Sequence, residues 1–361
     1  MLNSLYIEAI RKKGLLNEPL DELSESKIDI ESKWHEEEII PSDSNVILAA
    51  GDGSYNKKRY LSFNFYAVAA ESLIYNPNET DSRLESIESA ELDIMLHQSF
   101  LEVRLRNMMS IFQKKTALKT FKEYDIDYYM DDGSIFGDLI RPIPLEKNIS
   151  PEYKDYIVSK VNEKLEKEME SDELDISSYR FREEFKELFD EDEIDEDSLI
   201  RFLESLENLM ALKYLLEYKK KIVAISKTSS SNEIFYCNVP DMAILDRFTR
   251  KAGYSKPYYR EVNRKVKHDF PIENEFFRRL EFTIFFARLD DNKNVIKIEL
   301  PYHANEEDIR KVLSVIKSNS TEGYPYLLKK AHNDVVISNQ DIDSLSKIIG
   351  FLHKSGREML K

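Results

Sequence analysis

Two apolar runs in this chain end in the same phrase, an acid followed by glycine and serine. Residues 45–50 (NVILAA) lead through Gly51 into Asp52-Gly53-Ser54, and residues 125–135 (DIDYYMDDGSI) contain Asp132-Gly133-Ser134. A short apolar run closed by turn residues reads as a buried strand. Each phrase therefore places a carboxylate at a strand end, and two such strands place both acids at the carboxyl edge of one sheet, where open α/β sheets bind ligands. Taken singly, Asp-Gly-Ser is ordinary turn chemistry, and two unrelated turns are the alternative for the pair. The repetition favours a metal site, because hard cations such as Mg²⁺ and Mn²⁺ prefer carboxylate oxygens. Two such ions about 3.5–4 Å apart clamp the attacking and leaving oxygens of phosphoryl chemistry. Asp132 is preferred to its neighbour Asp131 because its Gly-Ser successor matches that of Asp52; Asp131 stays open as a sharer or substitute. Gly51 is expected to loosen the end of the first strand.

The rest of the pattern predicts an α/β core. Residues 59–72 (RYLSFNFYAVAAES) alternate aromatic and small side chains, predicting a hairpin partner for the first strand, with Lys57, Lys58 and Arg59 in the turn. Residues 81–115 show helical spacing, with Leu92, Met95, Leu101, Leu105, Met108 and Phe112 on one side. Residues 150–220 read as a charged helical insertion that projects from the core and faces away from substrate; it includes seven acids in the eight positions 190–197. Residues 221–226 (KIVAIS), 275–287 and 295–300 are further strand candidates, and residues 306–316 and 340–352 are amphipathic helices. Strands interleaved with helices, after an early hairpin, predict a mixed central sheet flanked by helices. The 361 residues are 42% hydrophobic, enough for a sizeable core. One domain over residues 1–361, with 150–220 inserted in it, is the expectation.

Composition narrows the classes. No apolar run of about 18 residues exists, and the N-terminus lacks a signal-peptide pattern, so a soluble cytoplasmic protein without a membrane span is expected. A single cysteine, Cys237, within the strand-like IFYCNV, excludes an internal disulfide framework and a cysteine-based zinc cluster. The net charge of −16 argues against a uniformly basic nucleic-acid binder. Residues 247–268 nevertheless carry eight Lys or Arg against Glu261 alone, interleaved with Phe248, Tyr254, Tyr258 and Tyr259. Backbone neutralisation with aromatic stacking is the physics of sequence-tolerant single-strand binding. Arg247, Arg250, Lys251, Tyr258 and Arg260 are the contact candidates there, with a solvated loop or a dimer contact as the alternative. Lys227, after KIVAIS, is placed to neutralise a phosphate, or is simply an exposed strand-end lysine.

Three more residues carry possible chemistry. Glu102 sits in SFLEVRL among apolar neighbours, where a carboxylate is costly without a partner such as a metal. Pairing with Arg106 at i,i+4 explains it equally well, and Glu88 and Glu91 are rivals nearer the predicted helix start. Tyr324 and His332, in GYPYLLKKAHNDVVI, offer a phenol and an imidazole able to ligate or shuttle a proton; a histidine beside lysines is also ordinary solvated surface.

Taken in order over residues 45–340, Asp52-Gly53-Ser54, a helical Glu102, Asp132-Gly133-Ser134, Ser226-Lys227 after a strand, and Tyr324 eight residues before His332 resemble the NurA family of archaeal DNA nucleases. The resemblance implies a ribonuclease H-like core and Mn²⁺-dependent cleavage, with Mg²⁺ as a substitute. It also implies 5′-to-3′ exonuclease and single-strand endonuclease action at single- and double-stranded DNA ends, and a homodimer working with the hexameric ATPase HerA. Carried over, Asp52, Glu102 and Asp132 would be metal ligands, with His332 close to the metal and Tyr324 and His332 the further active-site pair. The competing classes are a noncatalytic adaptor that binds DNA or an ATPase, and an actin-like phosphotransferase. The latter needs more glycine-rich nucleotide-binding segments than nine glycines provide, and neither GxxxxGK[ST] nor a complete GxGxxG occurs.

Overall fold

Residues 48–75 form a hairpin longer than the sequence pattern suggests. The computed structural model describes residues 2–25, 28–43, 45–78, 84–96, 100–141, 149–185 and 195–351. Its 10-stranded mixed sheet is built from β1 (Trp34–Glu36), β2 (Leu48–Arg59), β3 (Phe63–Tyr75), β4 (Glu85–Leu96), β5 (Tyr128–Asp132), β6 (Ile222–Ser226), β7 (Gly253–Ser255), β8 (Tyr258–Glu261), β9 (Glu281–Arg288) and β10 (Ile296–Leu300). The order is β1-β7-β9-β10-β6-β5-β2-β3-β4, with β8 also paired to β9. Strands β2, β3 and β4 form an antiparallel meander, and β5 and then β6 add parallel to β2. Three antiparallel strands followed by two parallel to the first is the ribonuclease H-like arrangement that the resemblance implies.

Helices cover both faces. On one lie α2 (Leu101–Glu123), α3 (Ile135–Ile140), α4 (Pro151–Glu170) and α5 (Glu196–Leu215); on the other lie α6 (Glu306–Ser318), α7 (Tyr326–Val335) and α8 (Asn339–Ile349). The 23-residue helix α1 (Asn3–Glu25) precedes the sheet. Local chemistry marks several ends. Ser150 caps α4 with Pro151 in its first turn, and reciprocal Asn305–Asp308 and Ser338–Asp341 boxes start α6 and α8. No helix among the described residues is long and apolar enough to cross a membrane.

Several expectations are corrected. Strand β2 runs unbroken through Asp52 to Arg59, so no turn follows Ala50; Lys57, Lys58 and Arg59 are strand residues. Gly51 does not loosen the strand. A Cβ there would lie 1.9 Å from the Tyr129 hydroxyl, which bonds Ser72 Oγ at 2.7 Å, so glycine lets β5 pack close. Residues 85–96 are the edge strand β4 rather than the start of a helix, which places Glu88 and Glu91 on the sheet. Leu92 and Met95 match a helical period, but pairing with β3 decides the conformation, as tertiary context does for strands generally. Helix Asn274–Arg278 precedes β9, dividing the stretch expected to be one strand. Cys237 lies in a bend after the left-handed Tyr236, not in a strand.

The charged helical segment does not project. Ile157, Val161 and Leu165 of α4 and Leu199, Phe202 and Leu206 of α5 share one buried cluster with Ala49, Tyr129 and Ala224 of the sheet. Residues 190–194 of the acidic run lie outside the described residues. Of the remainder, Asp195 caps α5 by accepting from Ser198 N at 2.9 Å, and Glu196 and Asp197 fill the first turn, where acids suit the helix dipole.

Candidate metal centre

Side-chain parity explains which acids meet. Gly51 pairs with Asp131 in the parallel β2–β5 ladder, so the next residues, Asp52 and Asp132, emerge side by side on the opposite face. That face is packed by α7, which brings His332 over β2. One ligand atom from each of Asp52, Asp132 and His332 lies within 4.8 Å of the others. His332 Nδ1 is 2.7 Å from Asp52 Oδ2, and Gly53 N donates to Asp52 Oδ1 at 2.7 Å. Burial, then the charge of Asp132, raises the Asp52 pKa, while the bond to His332 opposes that rise. Two carboxylates that repel one another with an imidazole beside them form a hard, oxygen-rich donor set, and a divalent cation would relieve the repulsion. The residues fit a metal.

The surroundings are polar and fixed. Lys227 Nζ donates to Asp132 Oδ2 at 2.9 Å and stands 5.4 Å from the centre of the Tyr324 ring. Burial, then the charges of Asp132 and Asp52, raise the Tyr324 pKa and keep its phenol protonated. Ser54 Oγ accepts from Ile337 N at 3.2 Å, and Asn56 Nδ2 donates to Ile337 O at 2.9 Å, pinning the α7–α8 connection to β2. Asp131 points to the other face, where burial pushes its pKa up to about 7 against the pull of Lys114. It is not in the group with Asp52, Asp132 and His332.

Glu102 does not join this group. Its side chain is 51% exposed, accepts from the Tyr55 hydroxyl at 2.9 Å, and pairs with Lys57, which holds its carboxyl below the ordinary range. Helix α2 runs along β2, and the residue it presents to Asp52 is Gln113, whose Nε2 is 3.5 Å from Asp52 Oδ1. Gln113 is 11 residues beyond Glu102, about 16 Å along the helix axis. The apolar stripe beside Glu102 faces β3 and β4; Leu101 and Leu105 pack there, while Glu102 faces out. Glu102→Gln is therefore expected to retain at least half of any metal-dependent activity of the centre, a check that separates it from the two aspartates.

The basic segment is not brought to the centre. β8 lies beyond β9, four strand steps from β5 in the sheet order, about 19 Å at about 4.8 Å per strand. Lys251 pairs with Asp291 at 2.7 Å, Arg260 pairs with Glu233, and half-buried Tyr258 bonds Ser231. Arg247 and Arg250 are exposed.

Four residues near the centre, Gln113, Lys297, Glu299 and Glu71, escaped sequence reasoning. Gln113 carries no pattern that marks it. Lys297 and Glu299, however, alternate with Ile296, Ile298 and Leu300, so charges repeat at period two in an apolar strand. That is a readable anomaly. Across the β2–β3 ladder from Asp52, Glu71 is buried with an Oε2 that has no hydrogen-bond partner, and burial, Asp334 and Glu88 raise its pKa to about 7. The folded state thus holds this proton more tightly than the unfolded chain, whose carboxyl keeps the ordinary 4.5, and stability falls as pH rises from 4.5 to about 7. Glu71→Gln is expected to raise the melting temperature at pH 8 by about 2–4 °C and to change little near pH 4.5. Thermal unfolding across that range checks it.

The family model described as the NurA domain matches residues 46–337. The chain belongs to the NurA family. It is 32% identical over 351 residues to the probable DNA double-strand break repair nuclease NurA of Methanocaldococcus jannaschii, covering 92% of this chain and 85% of that one. The NurA nuclease structure from Sulfolobus solfataricus superposes with a TM-score of 0.74 at 23% identity, over 97% of both chains. A structure of NurA bound to dAMP and manganese gives a TM-score of 0.70 at 17% identity, over 99% of this chain and 100% of the other. The NurA fold is thus shared along nearly the whole chain, including the strands that carry Asp52 and Asp132.

Proposed function

We propose that this chain is a divalent-metal-dependent DNA nuclease of double-strand break repair, acting at the centre formed by Asp52, Asp132 and His332. The observation that carries the reading is the convergence of these three donors within 4.8 Å of one another. The name of the Methanocaldococcus relative and the manganese and dAMP of the NurA structure support it. Asp52, Asp132 and His332 hold the metal, Mn²⁺ in preference with Mg²⁺ as a substitute. The bound ion supplies an activated water and stabilises charge on the leaving oxygen. Lys227 exchanges its bond to Asp132 for a phosphate oxygen. Tyr324, kept protonated, donates a hydrogen bond, and His332 would turn the Nδ1 that bonds Asp52 here toward the ion.

The finer reading follows the family resemblance: 5′-to-3′ exonuclease and single-strand endonuclease action, a homodimer, and a HerA-type ring ATPase that feeds in duplex. Nothing in the chain resembles a phosphate-cradling ATP loop, so a motor must come from a partner. The exposed Leu2, Leu5, Ile7 and Ile10 at the start of the N-terminal helix suit a protein contact. Arg247 and Arg250 suit the DNA backbone beyond the centre. One domain with residues 150–220 inserted is the matching organisation. Labelled linear DNA incubated with the protein and Mn²⁺, with and without chelator, tests the nuclease. Cleavage is expected only with metal, and metal-independent cleavage or none at all overturns the reading. Kilobase-length duplex, with and without the ATPase and hydrolysable ATP, tests the partner.

A further inference from the structure

Directly behind the Asp132 turn lies a buried ion pair that the proposed chemistry does not use. Glu299 of β10 is fully buried, and Lys297, two residues earlier on the same face, bonds it at 2.6 Å. The remaining capacity of the Glu299 carboxylate goes to one place. Its Oε1 accepts from Ser134 Oγ at 2.5 Å, and its Oε2 accepts from Phe136 N at 3.0 Å. Ser134 is the N-cap of α3, with its Oγ accepting from Gly137 N. The same turn is held on its other side by β6, where Gly133 N donates to Ile225 O at 3.0 Å and Ser226 Oγ donates to Gly133 O at 2.7 Å. Gly133 adopts φ of +145°, a backbone that other residues rarely take. The residue immediately before this fixed turn is Asp132.

Burying a charge pair is expensive, and well-packed apolar side chains at the same positions are often as stable or more so. Core stability therefore does not explain Lys297 and Glu299. Holding a turn in one conformation does. We infer that Glu299 is a positioning residue, which acts through Ser134 and the α3 N-terminus to set the Asp132 carboxylate in the geometry a divalent cation requires. Lys297 neutralises Glu299 so that its carboxylate stays an acceptor in the interior. The inference rests on the reading of Asp132 as a metal ligand. Loss of an outer-shell partner of this kind lowers metal affinity by about 10–100-fold.

The test measures Mn²⁺ affinity of the full-length protein from the spectroscopic signal of free Mn²⁺, alongside DNA cleavage as a function of Mn²⁺ concentration. Lys297→Leu with Glu299→Leu removes the pair without stranding a charge. It is expected to weaken Mn²⁺ binding by about 10–100-fold while cleavage recovers at high Mn²⁺. Lys297→Leu with Glu299→Gln restores an acceptor oxygen and is expected to bind Mn²⁺ nearly as the wild type does. Ser134→Ala is expected to weaken binding in the same direction, and adding it to the double-leucine variant is expected to cost nothing more. Wild-type Mn²⁺ affinity in both the double-leucine variant and Ser134→Ala, with Asp132→Asn impaired, overturns the inference and leaves the metal site standing. Strictly additive losses overturn it too. Wild-type affinity in Asp132→Asn instead overturns the metal-site reading itself. Should the double-leucine variant fail to fold, Ser134→Ala and the glutamine variant decide.

Discussion

Asp52→Asn and Asp132→Asn are each expected to abolish Mn²⁺-dependent DNA cleavage while the protein stays folded. An amide keeps the shape of the side chain but removes the anionic oxygen a hard cation prefers. The loss should exceed the roughly 100-fold attached to an outer-shell partner, because these residues lie one shell closer. A second readout distinguishes a lost ligand from a damaged fold. Burial and the neighbouring Asp132 already disfavour the charge on Asp52, so replacing it with a neutral amide removes a repulsion. Without metal, Asp52→Asn is expected to melt at or above the wild-type temperature, whereas Mn²⁺, which stabilises the wild type by mass action, no longer raises it. The same repulsion gives a pH dependence. A carboxyl with a raised pKa takes up its proton at a higher pH than an ordinary aspartate, so protons displace metal, and cleavage falls, earlier on acidification. Near-normal turnover by either purified variant in Mn²⁺ would remove the assignment.

The contrast between Asp132 and Glu102 shows what the chain made legible. The twinned acid-glycine-serine phrase pointed to Asp52 and Asp132, and strand register does bring them together, although Asp52 sits within a long strand rather than at its end. The phrase worked because a parallel ladder preserves side-chain parity: once Gly51 and Asp131 align, their successors share a face. Helix α2 offered no comparable rule. A glutamate bordering an apolar stripe has two helix faces available, and its choice depends on where the helix crosses the sheet. Here the crossing sets neutral Gln113 against Gly53, with its amide 3.5 Å from Asp52 Oδ1, and leaves Glu102 to Tyr55 and Lys57. The error over residues 85–96 has the same origin. Leu92 and Met95 match a helical period, yet on β4 only Met95 is buried while Leu92 is exposed, and pairing with β3 fixes the strand.

The charged segment was legible as helix but not as core, and the reason suggests the largest effect on stability. Helix α5 carries Glu204 and Glu207, both fully buried, and each meets a cation of α2: Arg104 bonds Glu204 at 2.8 Å, and Lys115 bonds Glu207 at 2.7 Å. In sequence these four look like solvated helix charges. In the fold they lock α5 against α2, beside the strand bearing Asp52. Burial pushes the Glu204 pKa up to about 7 despite Arg104, so the pair is held together in an environment hostile to its charge. Removing one partner leaves the other stranded, which costs about 3–5 kcal/mol. Arg104→Met is therefore expected to lower the melting temperature near pH 8 by on the order of 10 °C. The sign with pH is fixed by the same group. Without Arg104 the folded-state pKa of Glu204 rises further above the ordinary 4.5, so the penalty is full at high pH and fades as the side chain takes up a proton on acidification. Arg104→Met combined with Glu204→Leu strands no charge and is expected to recover most of the loss. Thermal unfolding of the three proteins at pH 8 and pH 5 decides it. An Arg104→Met protein as stable as the wild type at pH 8 would mean that the segment is an appendage after all, and that α2 keeps its place on the sheet without its help.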